Sequence, residues 1–301
     1  MTSQTITAAA SGTFELGDLT VNRVGFGAMR LPQHGEAFAA DAVPRDRDQA
    51  IGVLRRAVEL GVNHIDTAAF YFSPLRSANE LINRALAPYP DDLVITTKVG
   101  PGRDPAGRWL PHATPEQLRG QVEDNLRQLG RDHLDVVNLR IVGTDSIAER
   151  FGALADLRQA GLIRHLGLSN VRPHHLAEAQ AIAPVVCVQN MYGIGASPEQ
   201  KEFLDLCGEQ RIAFVPFYSI AGTGREGGAT TDDSREVHAI ARAHGVSTAQ
   251  IRLAWTLHQG SHVLAIPGTG DPDHLAQNVA AGSLRLSGGE LTALDSHHET
   301  A

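Results

Sequence analysis

The chain has 301 residues, 42% hydrophobic and 20% charged, enough apolar material to bury the core of one large α/β barrel or of two medium domains. Its 34 Asp+Glu against 26 Lys+Arg leave a net charge of −8, which argues against a broad nucleic-acid footprint but leaves room for a local basic pocket. Two cysteines, Cys187 and Cys207, are too few for a disulfide framework or a zinc site, and no apolar run reaches the length of a membrane span. A cytoplasmic protein follows, without membrane, nucleic-acid or metal partners. The N-terminus supports this, because it carries no basic segment leading into an apolar one.

Residues 1–12, rich in Ser, Thr and Ala, read as a disordered tail ahead of a single domain over 13–301. "FELGDLTVNRVGFG" then predicts a hairpin turning at Gly17-Asp18, suited to plugging the bottom of a barrel. Short β-branched runs follow at Val24–Ala28, Asn63–Asp66, Leu93–Lys98, Leu134–Arg140, His165–Leu168, Val185–Gln189, Ala213–Phe217 and Val263–Ile266. Between them lie amphipathic segments such as Arg47–Leu60, Thr114–Leu129 and Ser146–Ala160, with Gly61, Gly130 and Gly161 as C-caps. Strands alternating with helices, without a low-complexity linker, predict an α/β fold: a (β/α)8 TIM barrel with an N-terminal β-hairpin. A doubly wound open sheet is the alternative, but "GFGAM" lacks the third glycine and the helix of a dinucleotide fingerprint. The histidine pairs His174-His175 and His297-His298 read as solvated surface, and Cys187 as a packed thiol.

In a barrel, chemistry sits at the C-terminal strand ends. Those ends carry Asp66, Lys98 and Arg140, with Tyr71 in the loop after Asp66. From neighbouring strands, Asp66 and Lys98 can pair away from water, and the ammonium can then stabilise a developing Tyr71 phenolate. Tyr71 becomes a candidate general acid for an oxyanion formed by hydride addition to a carbonyl. The competing reading is a structural salt bridge beside a packing tyrosine. Arg140 ends an apolar strand and so must be paired, solvated in a cleft, or used.

"GVNHIDTAAFY", "TTKVG", "GLIRHLGLSN", "VCVQNMY" and "VLAIPGTGDPDHLAQNVAA", in that order over nearly the whole chain, resemble the aldo-keto reductase family. The resemblance implies a barrel that binds a nicotinamide cofactor and reduces aldehydes or ketones. Tyr71 then matches the proton donor, Lys98 its charge partner, and Asp66 the anchor of Lys98. Arg140 stands where most of the family has a histidine. Having no proton to lose, it is expected to orient the carbonyl or an anionic substrate group and to support the phenolate; a salt bridge to a barrel-mouth carboxylate is the alternative.

For the cofactor, the resemblance implies Ser169, Asn170 and Gln189 on the carboxamide and Phe217 stacked on the nicotinamide. Tyr218, Ser219, Ile220 and Gly222 open a covering loop that continues through the Gly-rich "AGTGREGGATTDD". Gly27, Met29 and Pro267 line the same path. Gly268, Thr269, His274, Gln277 and Asn278 match the adenosine-phosphate segment, where a helix N-terminus adds N–H donors. Many relatives carry lysine where Gly268 stands and arginine where His274 stands, both suited to a 2′-phosphate, and their absence here weakens strict NADP specificity. The resemblance itself still makes NADP(H) the first choice of cofactor, with NAD(H) as the alternative. Arg30, Phe72 and Trp109 are expected on the substrate side. "DVVNLR", "VCVQN" and "IPGT" are most similar to bacterial pyridoxal reductases, implying a small aromatic aldehyde and a monomer or weak homo-oligomer. The rival readings are a nucleotide-binding redox sensor with little turnover and a Schiff-base aldolase built on Lys98.

Overall fold

In the computed structural model, residues 6–39, 41–220 and 234–295 are described. The first hairpin pairs β1 (Thr13–Leu16) with β2 (Leu19–Asn22), Leu16 opposite Leu19, so the turn is Gly17-Asp18. Gly17 takes φ 69°, and a side chain there would run into the His165 ring, so both backbone and space require glycine. Asp18 accepts from Arg164 and His165 at the foot of a barrel strand.

The barrel strands are β3 (Phe26–Gly27), β4 (His64–Asp66), β7 (Val94–Val99), β8 (Leu134–Arg140), β9 (Ile163–Ser169), β10 (Val185–Gln189) and β11 (Ala213–Phe214). They pair in parallel in that order. The eighth position, 263–266, joins through single bridges only, Phe214 to Val263 on one side and Val24 to Ala265 on the other. Those bridges close the ring into a (β/α)8 barrel. The short pair β5 (Phe72–Ser73) and β6 (Arg76–Ser77) lies in the loop after β4.

Helices α1 (Arg47–Glu59), α2 (Ala78–Leu86), α3 (Pro115–Leu129), α4 (Ala148–Gln159), α5 (Pro173–Gln180), α6 (Pro198–Glu209), α7 (Arg235–His244), α8 (Thr248–His258), α9 (Pro272–Ala280) and α10 (Gly288–Asp295) surround it. The start of α3 follows its sequence signals: Thr114 and Gln117 form a reciprocal capping box, Pro115 opens the helix, and Gly130 caps it at φ 64°.

Alternate strand residues point inward, and their character changes with height. At the bottom Val94, Val136, Cys187, Ala213 and Leu264 pack with Leu16 and Val21, so the hairpin does plug the barrel. Cys187 is a packed thiol, as read; its Sγ lies 3.1 Å from Asn138 and burial pushes its pKa up to about 12. Higher up come His64 and Thr96, 3.1 Å apart, and at the top Asp66, Lys98, Arg140, Ser169 and Gln189.

Two expectations need correction. The tail does not extend through residue 12: Ala8–Ser11 forms a 3-10 turn capped by Thr7, and Ala8 is fully buried with its N–H on Leu60. His175 is fully buried, because as the third residue of α5 its Nδ1 accepts the Arg172 N–H. His297 and His298 lie outside the described residues. No helix among the described residues is long and apolar enough to cross a membrane, and no group of three potential metal ligands is found among them.

Candidate active site

The top of the barrel opens into a cleft of about 890 Å³. On its floor the Lys98 ammonium lies 2.6 Å from an Asp66 carboxylate oxygen and donates to the Thr67 carbonyl at 3.0 Å. Lys98 and Asp66 are 2% and 3% exposed, so the pair is withdrawn from water. Burial alone would push the Lys98 pKa down. The Asp66 carboxylate and the Tyr71 hydroxyl outweigh it and hold the amine above its ordinary value. A protonated, paired lysine is no nucleophile, which removes the chemistry a Schiff-base aldolase needs. The second Asp66 oxygen accepts from Gln189 at 2.7 Å.

Tyr71 is 7% exposed, its ring centroid 4.9 Å from the Lys98 ammonium. Phe70 meets it edge-on at 5.1 Å and Phe38 tilts against it at 5.9 Å; both in turn pack on Trp109, at 5.7 and 5.3 Å. Trp109 is 52% exposed and completes an aromatic wall over Tyr71.

Arg140 enters the cleft from the end of β8. It donates to the Ser169 hydroxyl at 3.3 Å, and its guanidinium carbon lies 5.3 Å from the Phe217 ring centroid. Among the described residues no carboxylate pairs with it, so the salt-bridge alternative is not what holds Arg140 in place.

The expected residues Gly27, Met29, Arg30, Asp66, Tyr71, Lys98, Trp109, Arg140, Gln189, Phe217, Tyr218, Ser219, Ile220, Pro267, Gly268, Thr269, His274, Gln277 and Asn278 all line this one cleft. Three do not. Phe72 follows Tyr71 in extended backbone and turns away, lying 4.6 Å under the Arg103 guanidinium; Phe70 takes its place. Ser169 points inward but is fully buried with Arg140 bonded to its hydroxyl. Asn170, at φ 60°, spends its amide on the Ile141 carbonyl. Gly222 and residues 221–233 lie outside the described residues. The start of α9 offers less than expected, since the Asp273 and His274 N–H groups already bond Asp271.

Sequence reading missed Phe38 and Phe70 beside Tyr71, and Arg45 at the far end of the cleft. Phe38 carried one local sign, a lone aromatic in a Gly/Ala-rich loop. Arg45 sits beside Gly270, its guanidinium 3.4 Å from that carbonyl. Burial and the neighbouring Arg30 push its pKa down while Asp271 opposes them. The local basic pocket allowed by the acidic composition is thus built from Arg45 and from Arg30, which was expected on the substrate side and instead lies near Arg45.

An aromatic ring flanked by polar groups at the barrel centre, leading along a glycine-lined wall to a basic far end, fits a dinucleotide. A family profile described as Aldo/keto reductase family matches residues 23–299. The chain belongs to the aldo/keto reductase family. It is 44% identical over 293 residues to the pyridoxine 4-dehydrogenase of Escherichia coli K12, covering 95% of this chain and 98% of that protein. It is 30% identical to a methylglyoxal reductase of the same organism, over 89% of this chain and 92% of the relative. Among solved structures, an aldo/keto reductase from Klebsiella pneumoniae in complex with NADP and acetate aligns with a TM-score of 0.74 at 26% identity, over 92% of this chain and 91% of that one. The aldo/keto reductase assignment makes the protein an NAD(P)H-dependent oxidoreductase that reduces carbonyls.

Proposed function

We propose that the protein reduces a small aromatic aldehyde of the pyridoxal type with NADPH, using Tyr71 as proton donor. The observation that carries this reading is the Lys98 ammonium held between the Asp66 carboxylate at 2.6 Å and the Tyr71 ring at 4.9 Å on the floor of the cleft. When bound, the reduced nicotinamide supplies the hydride for the carbonyl carbon. Tyr71 gives its proton to the carbonyl oxygen. Lys98 stabilises the phenolate left behind, and Asp66 keeps Lys98 charged and in place. Arg140, positively charged throughout, orients the carbonyl oxygen. Phe38, Phe70 and Trp109 exclude water and favour a flat substrate.

Gln189, Phe217 and Ser219 would hold the nicotinamide end of the cofactor, and Thr269, His274 and Asn278 the adenosine end. Arg30 and Arg45 favour the additional phosphate of NADP over NAD. The similarity to a pyridoxine 4-dehydrogenase supports pyridoxal as the first substrate to test. The reading extends to a cytoplasmic monomer or weak homo-oligomer. A redox sensor with little turnover has no need of a buried proton-donor set facing an open substrate wall.

Nicotinamide absorbance in the presence of pyridoxal, a nitrobenzaldehyde and methylglyoxal tests the assignment. Replacing Tyr71 by Phe is expected to lower kcat by a factor on the order of 100 to 10,000 and leave NADPH affinity nearly unchanged. Full activity in that variant would sink the proposed acid.

A further inference from the structure

Arg103 does not line the cleft, yet it touches every part of the wall that faces the substrate. It sits in the loop between β7 and α3, where a bridge pairs it with Trp109 and its Nε donates to the Gly107 carbonyl at 2.9 Å. From there its guanidinium reaches two other loops. One Nη donates to the carbonyls of Phe72 at 2.8 Å and Phe70 at 3.4 Å, the residues on either side of Tyr71. The other donates to the carbonyl of Phe38 at 3.4 Å. The same planar group packs 4.6 Å from the Phe72 ring, 5.2 Å from Phe38 and 5.7 Å from Trp109. Apart from Arg103 these loops are held by local contacts: Phe38 is at φ 71° in an irregular segment, and Tyr71 has its N–H on the Ala68 carbonyl, its own carbonyl on the Ala78 N–H at the start of α2, and the two-residue strand β5 after it.

We infer that Arg103 is the positioning residue for the Tyr71 proton donor, tying the loops that carry Phe38, Tyr71 and Trp109 into one wall. The inference rests on Tyr71 acting as the acid. The chemistry explains why the group is an arginine. Only a planar fork with five N–H donors can bond carbonyls on three loops while presenting a flat face to aromatic rings. A lysine at this position would supply charge without the fork, and a methionine would supply the stem without either.

The test compares wild type, Arg103→Met and Arg103→Lys as full chains, by amide hydrogen exchange and by steady-state reduction of an aromatic and an aliphatic aldehyde. In Arg103→Met, exchange is expected to accelerate in all three loops while the barrel strands keep their protection. The kcat is expected to fall on the order of 100-fold for both substrates, as a displaced reacting group requires. The KM for NADPH should stay within about twofold, and Arg103→Lys should recover only a small part of the rate. If Arg103→Met does not fold, the lysine variant carries the same comparison. Faster exchange confined to the Arg103 loop would overturn the inference, and so would an unchanged kcat with KM raised for the aromatic aldehyde alone. If wild type reduces no carbonyl in the panel, the assigned reaction fails, while the exchange pattern still decides whether Arg103 ties the loops.

Discussion

Arg140 stands at the end of β8 with its guanidinium bonded to Ser169 and facing Phe217, and it has no carboxylate partner among the described residues. An arginine gives that corner of the cleft a charge that does not change between acid and alkaline solution. A histidine there, with an ordinary pKa of about 6.5, would bring a titrating group to the corner of the cleft where the carbonyl is proposed to react. Arg140→His is therefore expected to add an inflection near neutral pH to the profile of kcat/KM. A profile and KM identical to wild type would assign Arg140 a purely structural role. The residue also shows how a single contact redirects its neighbours. Ser169, read from sequence as a donor to the cofactor, accepts from Arg140 through its hydroxyl oxygen and has no surface in the cleft.

β4 is only three residues long, and its two inward side chains have opposite tasks. Asp66 must stay charged beside Lys98, whereas His64, one step deeper, must stay neutral. Burial is the main cause that lowers the His64 pKa to about 4, with Lys98 acting in the same direction and Asp66 against it. In the unfolded chain the imidazole takes up a proton below about 6.5. Stability from neutral His64 is thus complete above that value and drains away as pH falls toward 4, by roughly 1.4 kcal/mol per pH unit. His64→Gln is expected to lose less stability than wild type across that window when urea midpoints are compared on either side of it. Equal losses in both proteins would remove His64 from the acid response. Asp66 was legible in sequence, because strand period fixes which residues share the barrel interior and the strand end faces the cleft, whereas nothing in the sequence singled out His64 one inward step deeper. The ends of β4, β7 and β8 could be named for the same reason. Phe38 and Phe70 were not legible, since loops have no period, and their meeting with Trp109 depends on Arg103 bonding across more than sixty positions of chain. The 3-10 turn at Ala8–Ser11 escaped for a similar reason: its Ser/Ala-rich composition suits a frayed end, and only the Leu60 carbonyl and the packing around Ala8 order it.

At the scale of the barrel, the ring is continuous on seven strands and closes through bridges at the eighth. The seam between first and last strands is tight at the cleft floor. A Cβ on Gly27 would lie 2.5 Å from the Ile266 carbonyl oxygen, and one on Gly268 would lie 2.5 Å from that of Gly27. Backbone on both sides leaves nothing flexible to give way. Gly268→Lys is accordingly expected to destabilise the fold by about 1–3 kcal/mol, read as a lowered thermal midpoint, without tightening NADPH binding. A variant of unchanged stability and stronger grip would show that the seam can open. On the proposed cofactor placement, closing the barrel and choosing the cofactor are coupled in this chain. In this chain a side chain at position 268 would meet the Gly27 backbone across the seam, so its charge could not be gained without moving that backbone. On the same placement, changes of preference are better sought at His274, Thr269 or Arg45, which line the same cleft.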